Sequence, residues 1–179
     1  MDEELSELKQ QQAFLAKSLT DPLLQTQLSH FPWSPIAPEH ILEHRETLIR
    51  KRIQQTSHML PHTTRTLGDQ FVPIYREFAN QQHFNSVAAI RQDAIHFTRW
   101  LEQRSFPMPW LTCCCWLERT RCEWENAKSF YCKFKILKYD FYDWEPTEEY
   151  PNKKATAWFF LNSGLSHLAW HWPKRKLSR

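Results

Sequence analysis

The chain has 179 residues, 41% of them hydrophobic, and a formal net charge of +3. That length suits one domain with a real core, with or without a small appendage. With only two glycines, Gly-rich phosphate loops and dinucleotide fingerprints are excluded, and no stretch approaches the roughly 20 apolar residues of a transmembrane helix.

The opening, MDEELSELKQ, is acidic and polar, unlike a secretory or transit leader. Five cysteines, three of them adjacent at Cys113, Cys114 and Cys115, fit a reducing compartment better than a disulfide framework. The expectation is a cytoplasmic protein with no membrane association.

Leu5, Leu8, Leu15, Ala16 and Leu19 recur at helical spacing, which predicts a helix from Glu3 to Leu19. Asp21-Pro22 predicts a restart into a short helix, Pro22 to Ser29. Phe31 to Pro38 carries three prolines and reads as an irregular crossing anchored by Phe31 and Trp33. From Glu39, Ile41, Leu48, Ile49 and Ile53 restore a helical stripe until Met59-Leu60-Pro61 breaks it. A short helix then ends at Gly68 as a left-handed cap, and Asp69 caps the next. That helix carries the apolar stripe Phe71, Ile74, Tyr75 and Phe78, with Pro73 harmless in its first turn.

Asn85 or Ser86 opens a helix with Val87, Ile90, Ala94, Phe97 and Leu101 on one face. Pro109 starts another through Leu111, Cys115, Glu118 and Cys122. The period then changes to two. Phe130, Cys132, Phe134 and Ile136 alternate with Tyr131, Lys133 and Lys135, and Ala155 to Leu161 and Leu165 to Trp172 follow as strands. The fold expected is mainly α: a multi-helix bundle (residues 1–127) and a small three-stranded antiparallel sheet (128–172) packed on it, with a basic tail (173–179). Trp158, Phe160, Trp170 and Trp172 are expected to form the packed face, because three short strands need an apolar partner.

The order LKQQQAFLAKSL, His44-Arg45, LIRKR, Leu60-Pro61, LGDQF, Asp93-Ala94-x-x-Phe97-x-x-Trp100-Leu101 and Pro109-Trp110-Leu111 resembles a bacterial family named for DNA binding. Its members include HvfC/BufC-type proteins that accompany multinuclear-iron peptide-modifying enzymes, and actinobacterial relatives. The resemblance covers roughly residues 5 to 125. It implies an all-helical domain with no catalytic residues of its own, serving as a partner that presents a peptide through its C-terminal region. In this chain that region is short and reads as strands.

His40-Ile41-Leu42-Glu43-His44 spells H-x-x-E-H, in which two histidines one turn apart reach one zinc beside a glutamate base. No third ligand is singled out by sequence, and the pair reads as structural. Arg45, Arg50, Lys51 and Arg52 form a basic flank able to track phosphates, with Lys174, Arg175 and Lys176 as a second patch. Three consecutive helical cysteines point about 100° apart and cannot share one metal. His167 and His171 lie too far apart along a strand to do so. The aromatic strand face Trp158, Phe160, Trp170 and Trp172 is the candidate partner surface, or the seal against the bundle.

These features point first to a non-catalytic partner protein, without a cofactor, binding a protein or peptide, with the open edge of the sheet as one route. The second reading is a DNA-binding accessory protein using Arg45, Arg50, Lys51 and Arg52. The third is a zinc peptidase on His40, Glu43 and His44.

Overall fold

The structure, a computed structural model, describes residues 6, 8–10, 12–14, 16, 38–82, 90–141, 144, 148, 150–163 and 167–173. The described positions between 6 and 16 are helical, inside the first predicted helix. The short helix at Pro22 to Ser29, the crossing that begins at Phe31, the helix opening at Asn85 or Ser86 and the last six residues of the basic tail lie outside the described residues.

Five helices and three strands follow: α1 (Pro38–Met59), α2 (Pro61–Leu67), α3 (Phe71–Gln81), α4 (Ile90–Glu102), α5 (Leu111–Asn126), β1 (Tyr131–Leu137), β2 (Thr156–Asn162) and β3 (His167–Pro173). The fold is mainly α with a small antiparallel sheet, as expected. No helix among the described residues is long and apolar enough to cross a membrane. The chain divides into two compact units, Met1–Thr56 with Asp69–Asp93, and Ser57–Gly68 with Ala94–Arg179.

In the first unit, Ile41, Arg45, Ile49, Arg52, Ile53 and Thr56 of α1 are buried, one or two per turn, so one stripe of the helix is core. Phe71, Tyr75, Phe78 and Ala79 of α3 are buried too, and the Tyr75 ring meets Phe71 at 6.1 Å and Phe78 at 5.5 Å. Two arginines therefore sit among apolar neighbours. Arg52, 1% exposed, donates to the Asp93 carboxylate in a buried ion pair. Burial pushes the Asp93 carboxyl up, to about 6, against the opposing pull of Arg52. At the half-exposed rim, both Arg76 guanidinium nitrogens donate to Glu46, at 2.9 and 2.5 Å. This bidentate pairing draws the Glu46 carboxyl below its usual range.

The break between α1 and α2 follows local chemistry. Pro61 disfavours helical backbone at Leu60, which sits at φ −121° and ψ 58°. The other end of α2 does contain a positive φ at Gly68, but φ 51° with ψ −130° lies outside the left-handed helical basin expected. Asp69 is not the cap of α3 either. Gly68–Gln70 forms a 3-10 turn, α3 begins at Phe71, and Gln70 makes no capping side-chain bond. Nothing stands within 4 Å of the position a Gly68 Cβ would take, so only backbone strain opposes a larger residue. Gly68→Ala is expected to lower unfolding free energy by about 1–2 kcal/mol in denaturant titration.

The second unit is built around α5, buried on most sides at Leu111, Cys114, Cys115, Trp116, Leu117, Glu118, Thr120 and Cys122. The strands form a meander in the order β1-β2-β3, each neighbouring pair antiparallel. Phe160 enters a core of Cys114, Trp116, Leu117, Leu137, Phe141 and Trp144, with rings at 6.4 Å from Trp116 and 5.8 Å from Trp124. Polar bonds fix the register of sheet on helix: the Trp124 indole donates to the Leu161 carbonyl and the Asn162 amide to the Ala127 carbonyl, each at 2.8 Å. Glu123 ties α4, α5 and β1 together, accepting from Arg99, Tyr131 and Lys133. Burial pushes its carboxyl up, yet Lys133, Tyr131 and Arg99 outweigh that and leave it below the usual range.

Candidate functional site

Two features of the second unit have the chemistry of binding sites. One is the sheet. Cα partners across β1 and β2 share a face, so Tyr131, Lys133, Lys135 and Leu137 go with Asn162, Phe160, Trp158 and Thr156. Phe160, Asn162, Thr156 and Leu137 of that set are buried, which makes it the inner face. The opposite set, Cys132, Phe134 and Ile136 with Leu161, Phe159 and Ala157, faces away. Phe134 and Ile136 are each 60% exposed, and Phe130 just before β1 is 71% exposed.

The apolar half of the β1 alternation is thus the outer half. Tyr131 and Lys133 take the inner side because Glu123 receives both of their polar ends. Of the four-residue aromatic face expected from the sequence, the side chains of Trp158 and Phe160 are described. Trp158 and Phe160 lie on the inner side, stacked at 6.0 Å. The register, however, sets Trp170 opposite Phe159 and Trp172 opposite Ala157. The β2–β3 register pairs even with odd positions.

The other feature is a pocket of about 170 Å³ lined by His62, Leu117, Glu118, Arg121, Trp124, Trp158, Phe160 and Ala169. Three aromatic side chains from α5 and β2 wall it, and α2 brings His62. The His62 ring stacks on Trp144 at 5.8 Å, and burial next to Arg121 and Arg65 drives its pKa down to about 4, so it is neutral near pH 7. Glu118, 1% exposed, accepts the His62 N–H at 2.6 Å and the Thr63 N–H at 3.0 Å. These are orphan donors of the first turn of α2, where Leu60 offers no side-chain cap. A carboxylate from α5 therefore caps α2 across the unit. Burial pushes the Glu118 carboxyl up to about 7 despite these bonds.

Arg121 donates to the Met59 carbonyl, and its charge acts on the neighbouring Glu118 carboxyl without a salt bridge to it. The Trp158 indole N–H is buried and finds no acceptor among the described residues. Next to the pocket, the His171 ring lies 4.7 Å from Trp158 and 3.4 Å from the buried Asp140 carboxylate, which Lys154 also approaches at 3.5 Å.

The other residues singled out in the sequence are not gathered into a site. Arg45 and Arg52 are buried, so the four-residue basic flank reduces at the surface to Arg50 and Lys51. Their burial follows from falling on the core stripe of α1, and Arg50 lies 3.8 Å from Glu46. His40, Glu43 and His44 are exposed near the start of α1, with His40 at 3.9 Å from Glu43. Among the described residues no group of three His, Cys, Asp or Glu side chains is placed to hold a metal ion. Cys114 and Cys115 are buried against the hydroxyls of Thr66 and Thr63, and burial raises both thiol pKa values. Glu118 and Arg121 drew no attention as a pair in the sequence. The signal was present as an acidic residue in the middle of an otherwise apolar helical face.

Residues 36–103 match the family model described as SCO6045-like, C-terminal domain. The match covers less than half of the chain. It spans α1 to α4 and stops before α5 and the sheet, so Glu118, Arg121, Trp124, Trp158 and the β1 edge lie outside it. No curated protein and no solved structure matches the chain significantly.

Proposed function

We propose that this chain is a non-catalytic partner protein that binds an extended, acidic peptide segment of another protein along β1. The observation that carries this reading is the exposed apolar row Phe130, Phe134 and Ile136 on an edge strand. Among the described residues no further strand pairs with the outer edge of β1, and such an edge offers backbone groups to an added strand. Residues 127–139 contain no acidic residue, and of their lysines Lys128, Lys135 and Lys138 remain for a ligand, since Lys133 is held by Glu123. A strand alternating apolar and acidic residues complements both features, apolar side chains beside Phe134 and Ile136 and carboxylates beside the lysines. The resemblance to HvfC/BufC-type proteins supports a peptide as the occupant, held for a peptide-modifying enzyme. DNA binding draws less support, because only Arg50 and Lys51 of the four proposed basic residues reach solvent.

Selection of displayed random peptides on the full chain is expected to yield alternating apolar and acidic sequences. Because both side chains are exposed, the double substitution Phe134→Glu/Ile136→Glu leaves the fold intact. It is expected to weaken the selected peptides by at least about tenfold through lost apolar contact and like-charge repulsion. Peptides that bind the double variant as well as the parent would sink this reading. Nucleic-acid binding abolished by Lys51→Glu would replace it with the second one.

A further inference from the structure

We propose that the pocket between α2, α5 and the inner face of the sheet binds a small aromatic carboxylate, its ring among Trp124, Trp158 and Phe160 and its carboxylate on Arg121. A volume of about 170 Å³ is close to the roughly 150 Å³ of an apolar cavity known to admit a benzene ring. One ring fits and a nucleoside does not. The walls choose the ring's character, since Trp124, Trp158 and Phe160 offer flat faces and edges for offset or edge-on contact.

The polar groups then choose the substituent. Arg121 is the one cationic side chain of the lining, and its planar fork suits a carboxylate's two oxygens. His62 is neutral near pH 7, and both Glu118 oxygens are committed to the backbone N–H groups of α2. One guanidinium matches a single negative charge spread over two oxygens. A phosphate, with three acceptor oxygens and a higher charge, would be under-served. A neutral ring would leave Arg121 without a carboxylate salt bridge. This inference does not depend on the β1 edge, which lies on the other side of β1 from the pocket-lining residues' face.

The probes are phenylacetate, its neutral isostere phenylacetamide, and acetate, each titrated into the full chain by calorimetry and tryptophan fluorescence. A ligand of about ten heavy atoms is expected to bind in the millimolar range or better. Phenylacetamide should bind about 10- to 100-fold more weakly, as loss of a charge-assisted pair requires, and acetate should not bind detectably. Arg121→Gln is expected to abolish the preference for phenylacetate over phenylacetamide. Since Arg121 also bonds Met59, Ala169→Leu serves as the second variant, filling the pocket while leaving that bond in place; it should reduce binding of both ring probes. Equal binding of phenylacetate and phenylacetamide, no binding at about 10 mM, or full binding by Ala169→Leu would each overturn the proposal. The peptide selection on β1 and its Phe134/Ile136 variant report separately, so either conclusion can fail alone.

Discussion

Glu118→Ala is expected to destabilise the second unit by about 4 kcal/mol, a drop of roughly 10 °C in its melting temperature. The substitution removes one side chain but strands two donors. The N–H groups of His62 and Thr63 end on Glu118 oxygens at 2.6 and 3.0 Å, inside a region where Glu118 is 1% exposed. Each buried donor left without an acceptor costs about 1–3 kcal/mol. A cavity in the middle of α5 adds to this, because Leu117 and Cys122 on the same helix are already packed. Glu118→Gln keeps one acceptor oxygen and should fall between the parent and the alanine variant. If Glu118→Ala melts within a degree or two of the parent, the capping of α2 by α5 contributes nothing.

The same carboxyl sets a pH dependence with a definite sign. Its folded pKa, about 7, stands above the ordinary 4.5 because burial penalises the charged form. Between those values the native chain holds a proton that the unfolded chain has released. Stability from this group is therefore fully present below about pH 4.5 and is lost as pH rises through about 7. The change over that window is about 3 kcal/mol. Asp93, raised to about 6, slopes the same way. Chemical denaturation of the parent and Glu118→Gln side by side isolates the Glu118 part, and the parent's advantage over the variant should grow from high pH to low. A flat difference between pH 5 and 8 would place the Glu118 carboxyl near its ordinary pKa.

Helix existence was legible in the sequence because the apolar residues of α1, α3 and α4 repeat at a period that only a helix satisfies. Leu60-Pro61 and Gly68 were legible because a proline and a glycine act on the backbone locally. The strands were legible from alternation, but their faces were not. Period two says which residues travel together and not which set meets the core. That choice was made by Glu123 on α5, outside any rule about strands, through its bonds to Tyr131 and Lys133. Charge misled in the same way. Arg45 and Arg52 look like members of a solvated basic run, yet their positions on α1 fall on the stripe of Ile41, Ile49 and Ile53. A partner 41 residues onward in sequence, Asp93, is what makes the burial of Arg52 tolerable.

That partnership makes the second large prediction. Asp93→Ala is expected to cost the first unit about 3–5 kcal/mol, because it leaves the Arg52 guanidinium charged, desolvated and without its carboxylate. Arg52 side-chain exposure is 1% and that of Asp93 is 6%, so neither can reach water without moving the helices that hold them. Burial raises the Asp93 carboxyl against the pull of Arg52, the direction expected where desolvation outweighs pairing. A pair in that condition contributes little net stability over an apolar pair of the same volume. Arg52→Met/Asp93→Leu should therefore lie within about 1 kcal/mol of the parent in urea titration, far above Asp93→Ala alone. The contrast between single and double variants separates what the pair contributes from what its loss exposes. A double variant as unstable as Asp93→Ala would mean that the ion pair itself stabilises the unit. Arg52 would then be held in place by the energy of the pair, rather than by the position of residue 52 on the buried stripe of α1.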